Sequence, residues 1–451
     1  MTKSVVLLIV LVLSCVAGMR YLFTSSAPAN ADATASVVTE QEQSIDRNGA
    51  SMVAQGREIF RYDTFGDEAF WSGMLGLERA IEGSALGGVG AGVSPKTALT
   101  VGLKVDMDKL PAALVEQIKA GKVDLRSPAT TLALLRLNAV VGVQGTFGSE
   151  GQQSRLRSIG ISCAFCHSTV DNAFAPGIGH RLDGWPNRDL NVGGIVALAP
   201  DLSAVQKLLG ANRATVVKVL RSWGPGKFDA ELFLDGRAFR PDGKSAATLI
   251  PAAFGLAGVN LHTYTGWGSV PQWNAFVANL EMHGSGIYYD ARLADSKRFP
   301  IAAKAGFSHV RAAKDEITSK LAALQFYQLA IPAPTPKPES YDAGAAERGR
   351  KVFAMAQCSR CHVPPLFTEP GWNMHTAQEI GIDDFQASRS PDDRYRTTPL
   401  GGLSAARSKG GYYHDGRFAT LAAVVAHYDA FLRLHLTHDQ RRDLVEYLKS
   451  L

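Results

Sequence analysis

The chain has 451 residues, 46% of them hydrophobic and 20% charged, with a formal net charge of +5. That length supports two or three domains with real cores, and the composition is that of a folded rather than a disordered chain. The positive balance is mild and no dense Lys/Arg stripe occurs, which excludes a nucleic-acid-binding class.

Lys3 precedes an unbroken apolar run from Val5 to Ala17, followed by Gly18, Met19 and Arg20. This is the layout of an export signal. Ala29-Asn30-Ala31 offers a small-residue cleavage site, so residues 1–31 are expected to be a signal peptide and the protein periplasmic. The site lies well beyond the apolar run, so an uncleaved N-terminal anchor is the alternative. The run itself is short for a membrane span. Cys15 is read as part of the signal.

Residues 32–50 are small and polar and are expected to form a flexible lead-in. Ala54 to Phe60 has helical spacing and is expected to continue to Trp71. Leu110 to Gly121 reads as a helix with Pro111 at its start. Thr130 to Val143 is apolar on nearly every side and reads as a buried core helix. Gly177 to Asp189 is Gly-rich and loop-like. Leu202–Leu209 and Thr215–Trp223 read as helices, and 224–270 mostly as loop. Val270 to Met282 carries Trp273, Phe276, Val277 and Leu280 at helical spacing, and Ala312 to Leu329 reads as another helix. Ile331 to Ser340 alternates proline with other residues, a stiff linker and domain boundary. Ala345–Phe353 restarts a helix. Thr437–Leu451 closes the chain, capped by Thr437. No strand-rich region is expected.

Four of the five cysteines fall in Cys163-Ala-Phe-Cys166-His167 and Cys358-Ser-Arg-Cys361-His362. Cys-x-x-Cys-His is the attachment signature of a c-type haem. Two thiols one helical turn apart reach the two vinyl groups of a porphyrin, and the adjacent His ligates the iron. Structural zinc or a redox disulfide would need the Cys pairs but not the following His. The expected fold is therefore mainly α, with two cytochrome c-like haem domains and two covalently bound haem c. The first domain, 51–330, is enlarged by an insertion of about a hundred residues between Phe60 and Cys163. The second is 341–451. Covalent haem attachment outside the cytoplasm agrees with export.

The two motif histidines lie 195 residues apart (362 − 167). With the segments Tyr395-Arg-Thr397-Thr-Pro399-Leu, Gly411-Tyr-Tyr-His414-Asp415-Gly416 and Val424-Val-Ala-His427-Tyr428, the chain resembles the bacterial dihaem cytochrome c peroxidase family. That family also holds the dihaem enzyme of methylamine utilisation and the rubber oxygenases. The resemblance covers most of 345–451 and is patchy before it.

Several roles are implied by the resemblance. Asn279-Leu-Glu281-Met282 is similar to a segment whose Glu stands over the open face of the first haem and moves protons of bound peroxide. Rubber oxygenases lack that Glu, so Glu281 favours peroxide chemistry. Trp267 is the expected electron relay between haems, although the family's Trp-Asp-Gly-Arg motif here reads Leu234-Asp235-Gly-Arg237. His180 is the expected distal ligand of the first haem at rest. At the second haem the distal ligand is His427 or Tyr428. Neighbours on a helix diverge by about 100°, so one of them faces the iron, and His427 is preferred as the commoner ligand type. His414 and Asp415 are expected to brace the haem propionates and the turn. Asn187, Thr397 and Pro399 match a calcium site built from an amide and carbonyl oxygens.

The expected function is an exported oxidoreductase. It takes electrons from a small cytochrome or cupredoxin at the C-terminal haem and reduces hydrogen peroxide at the N-terminal haem. Two alternatives stand beside it. One is an oxygenase using dioxygen on a hydrophobic or protein substrate, with Leu132 to Val143 lining a channel. The other is an electron carrier without catalysis.

Overall fold

The computed structural model describes residues 38–150, 153–403 and 408–451. The expected signal peptide, Cys15 and the first residues of the lead-in lie outside them. Among the described residues no helix is long and apolar enough to cross a membrane. The fold is mainly helical, with 44% helix and 11% strand.

The first helix is Glu40–Tyr62, so most of the expected lead-in is helical. Its acidic first turn, Glu40 and Glu42, suits the positive end of the helix dipole. Gly56 lets it approach the helix Leu321–Ala330 closely: a Cβ there would lie 1.9 Å from the Ala323 carbonyl oxygen. The helix does not continue to Trp71. Phe65 and Gly66 both take positive φ and turn the chain into a π-helical segment, Ala69–Met74.

The apolar stretch 130–143 is not one helix. Helix Pro128–Arg136 ends before Asn138, whose φ of 51° breaks the ladder, and Val143 opens a strand. Strands Val143–Glu150 and Gln153–Ile161 form an antiparallel hairpin that sequence reasoning missed. The pairing register shifts between Thr146 and Phe147. The shift puts Leu156 out of phase with Ile159 and Ile161, so the buried side chains show no continuous alternation by twos. Side chains close one edge of the hairpin. Asp67 accepts from the Ile161 N–H, Ser72 from Ile159 and Glu82 from Leu156, which leaves these backbone donors satisfied. The hairpin delivers the chain directly to Cys163.

The helix expected from Ala312 begins only at Leu321; Asp315 first takes the Ile317 and Thr318 N–H groups in a tight turn. The Pro-rich stretch lies against its surroundings. The Ile331 carbonyl accepts from Gly255, and a Cβ at Gly402 would meet the Pro334 ring.

The C-terminal region packs helix Ala343–Met355 across helix His438–Lys449. The crossing point is Gly349, where a Cβ would lie 2.0 Å from the Asp443 carbonyl oxygen. Arg348 and the Asp443 side chain bond beside it at 2.7 and 2.9 Å. Val352, Phe353, Leu421, Val425, Leu444 and Leu448 form the core there, with Cys358 packed on it. A larger core gathers the hairpin, Phe60, Trp71, Phe165 and Trp223.

Candidate functional site

Cys163, Cys166 and His167 line a cavity of about 210 Å³ with largely apolar walls, among them Phe65, Phe70, Trp223, Phe233 and Trp273. The motif forms one helical turn, Ala164–His167, closed by the His167 N–H on the Cys163 carbonyl. Gly142 permits the turn to lie on the root of the hairpin, since a Cβ would sit 2.1 Å from the Phe165 nitrogen. His167 Nδ1 donates to the Pro251 carbonyl at 3.1 Å, which fixes the tautomer and leaves the Nε2 lone pair free. Burial lowers this imidazole to about 4, so it stays neutral, as a ligand must. Burial also pushes both thiols up to about 12. Neutral thiols beside a neutral imidazole in an apolar cavity fit a haem joined through thioether bonds.

Glu281 enters the same cavity from the end of the helix Val270–Phe276, which widens into a π segment over Val277–Glu281. π segments recur at functional sites. Both its carboxyl oxygens are buried without a hydrogen-bond partner. Burial raises this carboxyl well above the ordinary range, with Glu231 and Asp229 adding to the effect. A buried carboxylate lacking partners is so unfavourable that the group keeps its proton.

Further polar residues face this cavity without having been expected, among them His283, Glu231, Tyr264 and His262. His283 follows Glu281 by two positions on a backbone with φ of 62°, and its ring stacks on Phe70 at 3.8 Å. Burial lowers it to about 4. Glu231 and Tyr264 stand on loops, where no periodicity marks them. The signal for His283 was its place just beyond an amphipathic helix end; Glu231 gave none.

His180 is not at the cavity. Its ring is 53% exposed and pairs with Asp108 at 2.8 Å. The Gly-rich loop turns it outward, because its backbone N–H is tied to Asp171. The expectation of a distal ligand at His180 is corrected accordingly. Trp267 is buried and bonds Asp290 through its indole N–H at 3.3 Å. It stands behind Trp273, which lines the cavity, with ring centroids 6.0 Å apart. The loop bearing it is clamped by Arg396, whose groups reach the Leu261, Thr263 and Tyr264 carbonyls. A second aromatic path runs from the cavity wall to the C-terminal region: Tyr264 lies 6.2 Å from His414, which stacks on Tyr395 at 5.3 Å.

At the second motif, His362 Nδ1 donates to the Phe367 carbonyl at 2.9 Å, and the Thr398 backbone also bonds the ring. Burial lowers this imidazole and pushes the Cys358 thiol up to about 11. The helix Leu421–Leu432 turns its two candidate ligands apart. His427 Nε2 bonds the Ile380 carbonyl at 3.1 Å, and its ring packs on Phe418 and Phe431. Tyr428 is half-buried, with Tyr413, Cys358 and Cys361 as its titratable neighbours, and desolvation raises its phenol. The preference for His427 is thus corrected: Tyr428 is the side chain on the thiols' side.

The expected calcium ligands Asn187 and Thr397 are each engaged in hydrogen bonds within the protein. Asn187 spends its amide on the Gly102 carbonyl and the Asp189 N–H. Thr397, two positions before Pro399, gives its hydroxyl to Glu369 and its carbonyl to Thr368. These oxygens are committed to separate local partners.

All four motif cysteines are free thiols, so no disulfide joins them. Among the described residues no cluster unites the two pairs as a four-cysteine zinc site would require.

Residues 346–451 match the family model for cytochrome c, which makes this region a cytochrome c domain and implies covalently bound haem c. No curated protein matches the chain at a significant level. Among solved structures it is similar to a hydrazine synthase of Kuenenia stuttgartiensis pressurised with 20 bar xenon, with 17% identity, 47% of this chain and 75% of that chain covered, and a TM-score of 0.30. A likeness that slight carries no argument about fold or function.

Proposed function

We propose that this chain is an exported dihaem c-type oxidoreductase that takes electrons at its C-terminal haem and reduces hydrogen peroxide at its N-terminal haem. The observation that carries the reading is Glu281: a carboxyl with two unpartnered buried oxygens, in the cavity lined by Cys163, Cys166 and His167. Cys163 and Cys166 would bind the first haem and His167 would hold its iron. Cys358, Cys361 and His362 would do so for the second, with Tyr428, beside these thiols, as the candidate further ligand. The bound haem supplies a redox-active iron that takes peroxide and accepts electrons singly.

The chain's own part is proton handling. A carboxyl that keeps its proton is both acceptor and donor. Its bare oxygen can take the hydrogen of peroxide's near oxygen while its O–H gives one to the leaving oxygen, which departs as water. The apolar walls exclude bulk water from that exchange. Electrons come from a small cytochrome or cupredoxin. The test is oxidation of reduced cytochrome c by hydrogen peroxide, catalysed by purified protein with both haems attached. Absence of turnover in that preparation sinks the reading.

A second reading, protein modification as in the methylamine-utilisation branch, is favoured by the placement of Tyr428. The hydrophobic-channel form of the oxygenase reading loses its support. Residues from Leu134 to Val143 border a separate void of about 50 Å³, and they do not line the large cavity. Substituting Tyr428→Phe is expected to change the EPR and visible spectrum of one haem. His427→Ala should leave both spectra as they are; the reverse pattern would return the ligand to His427.

A further inference from the structure

Three carboxyls, Asp229, Glu231 and Asp235, gather around one buried guanidinium where residues 229–235 meet residues 386–389, and Glu281 lies beside two of them. Asp235 holds Arg389 through both oxygens at 2.8 and 3.0 Å, and Asp229 holds it at 2.9 Å. Glu231 Oε1 accepts from Gln386 Nε2 at 2.9 Å. Oδ2 of Asp229 and Oε2 of Glu231 are buried without a partner, as are both oxygens of Glu281. The Arg389 side chain is 0% exposed. One positive charge cannot balance three negative ones, with Glu281 beside them, in so low a dielectric, so the group must hold protons.

Glu231 and Glu281 line the same cavity. Glu231 faces Arg389, Gln386 and Asp235, and it lies beside Asp229 and Glu281. Reduction of one peroxide to two waters consumes two electrons and two protons. The first water forms from peroxide's own hydrogens through Glu281. The oxygen left behind needs both external protons. The cavity histidines His262 and His283, lowered to about 4 by burial, carry no spare proton at neutral pH. The carboxyls remain as the source.

We propose that Glu231 stores a proton and recharges Glu281 during turnover, held in place by Gln386 and Arg389 of the cytochrome c domain. The O–H bond on Glu231 breaks, and an O–H bond forms on Glu281 as Glu281 gives its own proton to the oxygen. Glu231 is left as a carboxylate bonded to Gln386 and is refilled from Asp229, whose carboxyl burial lifts to about 7. The electrons come from the reduced cytochrome or cupredoxin. The delivery step rests on the peroxide reading, whereas the storage step does not.

The experiment is infrared spectroscopy of the resting oxidised holoprotein in H2O and D2O, beside peroxide turnover as a function of pH. Glu231→Gln is expected to remove one protonated-carboxyl band and to slow turnover about tenfold or more, with a larger solvent isotope effect. Glu231→Asp is expected to restore part of the rate. Bands unchanged by Glu231→Gln overturn the proposal. Should that variant yield no folded holoprotein, Gln386→Leu removes the donor on Glu231 Oε1 and must shift the same band; an unmoved band is equally fatal. A protein that ignores peroxide but shows the Glu231 band defeats the peroxidase reading and the delivery step, and leaves the storage site standing.

Discussion

Glu281→Gln is expected to lower peroxide turnover by a factor of about 10² to 10⁴, the usual worth of a positioned acid–base group. The amide keeps the volume and the hydrogen-bonding outline of the carboxyl. It cannot accept a proton on one atom while releasing one from the other. Haem attachment at Cys163 and Cys166 should be untouched, because no hydrogen bond links Glu281 to the motif. The variant should also fold well. The parent carboxyl has a folded-state value raised above its unfolded one, so its stabilising contribution is full below the unfolded value and is lost as pH rises through the folded one. Gln carries no such dependence, and the variant should gain in melting temperature over the parent toward alkaline pH. The parent's turnover should fall on the same alkaline side, as the O–H that feeds the leaving oxygen disappears. Steady-state rates with reduced cytochrome c across pH, beside thermal melts, check both. A Gln variant within a few-fold of the parent rate removes Glu281 from the chemistry.

Legibility in the sequence followed the range of the interaction. The two Cys-x-x-Cys-His motifs are local, and each folds as one turn closed by the His N–H on the carbonyl of its first Cys. The closing helix was legible because Thr437 and Gln440 form a reciprocal cap within four residues. The hairpin was not, because its register shift breaks the alternation and its edge is satisfied by Asp67, Ser72 and Glu82 from far along the chain. His427 and Tyr428 are equivalent in composition. Only the rotation of their helix against Ile380 and the thiols separates them. His180 and Glu231 both sit on irregular backbone, one turned out to Asp108 and the other turned into the cavity. No periodic pattern records that difference, since long-range packing decides it.

Arg389→Leu should be strongly destabilising. It leaves Asp229, Glu231 and Asp235 facing one another without a cation, and breaking a buried ion cluster by removing one partner costs about 3–5 kcal/mol. The loss must depend on pH with a definite sign. Asp229 has a folded value of about 7 against an ordinary 3.8. Its contribution is therefore full below the unfolded value and declines as pH rises through the folded one, by about 1.4 kcal/mol per unit between the two. Arg389 is the group that pulls Asp229 down, and without it the carboxyl rises further and the decline runs on to higher pH. In acid Asp229 and Glu231, both raised by burial, hold their protons in parent and variant alike, and the variant's deficit should be smaller. Across neutrality the parent gains the Asp229–Arg389 ion pair and the variant gains only repulsion, so the gap widens. Guanidinium chloride unfolding of both proteins at about pH 5 and pH 8 reads the two deficits directly. Adding Asp229→Asn to Arg389→Leu should recover part of the loss at the higher pH and little at the lower, because the two side chains couple only while the carboxyl is charged. A deficit equal at both pH values would assign the cost to lost packing and would remove the electrostatic tie between the Asp229–Asp235 segment and the cytochrome c domain.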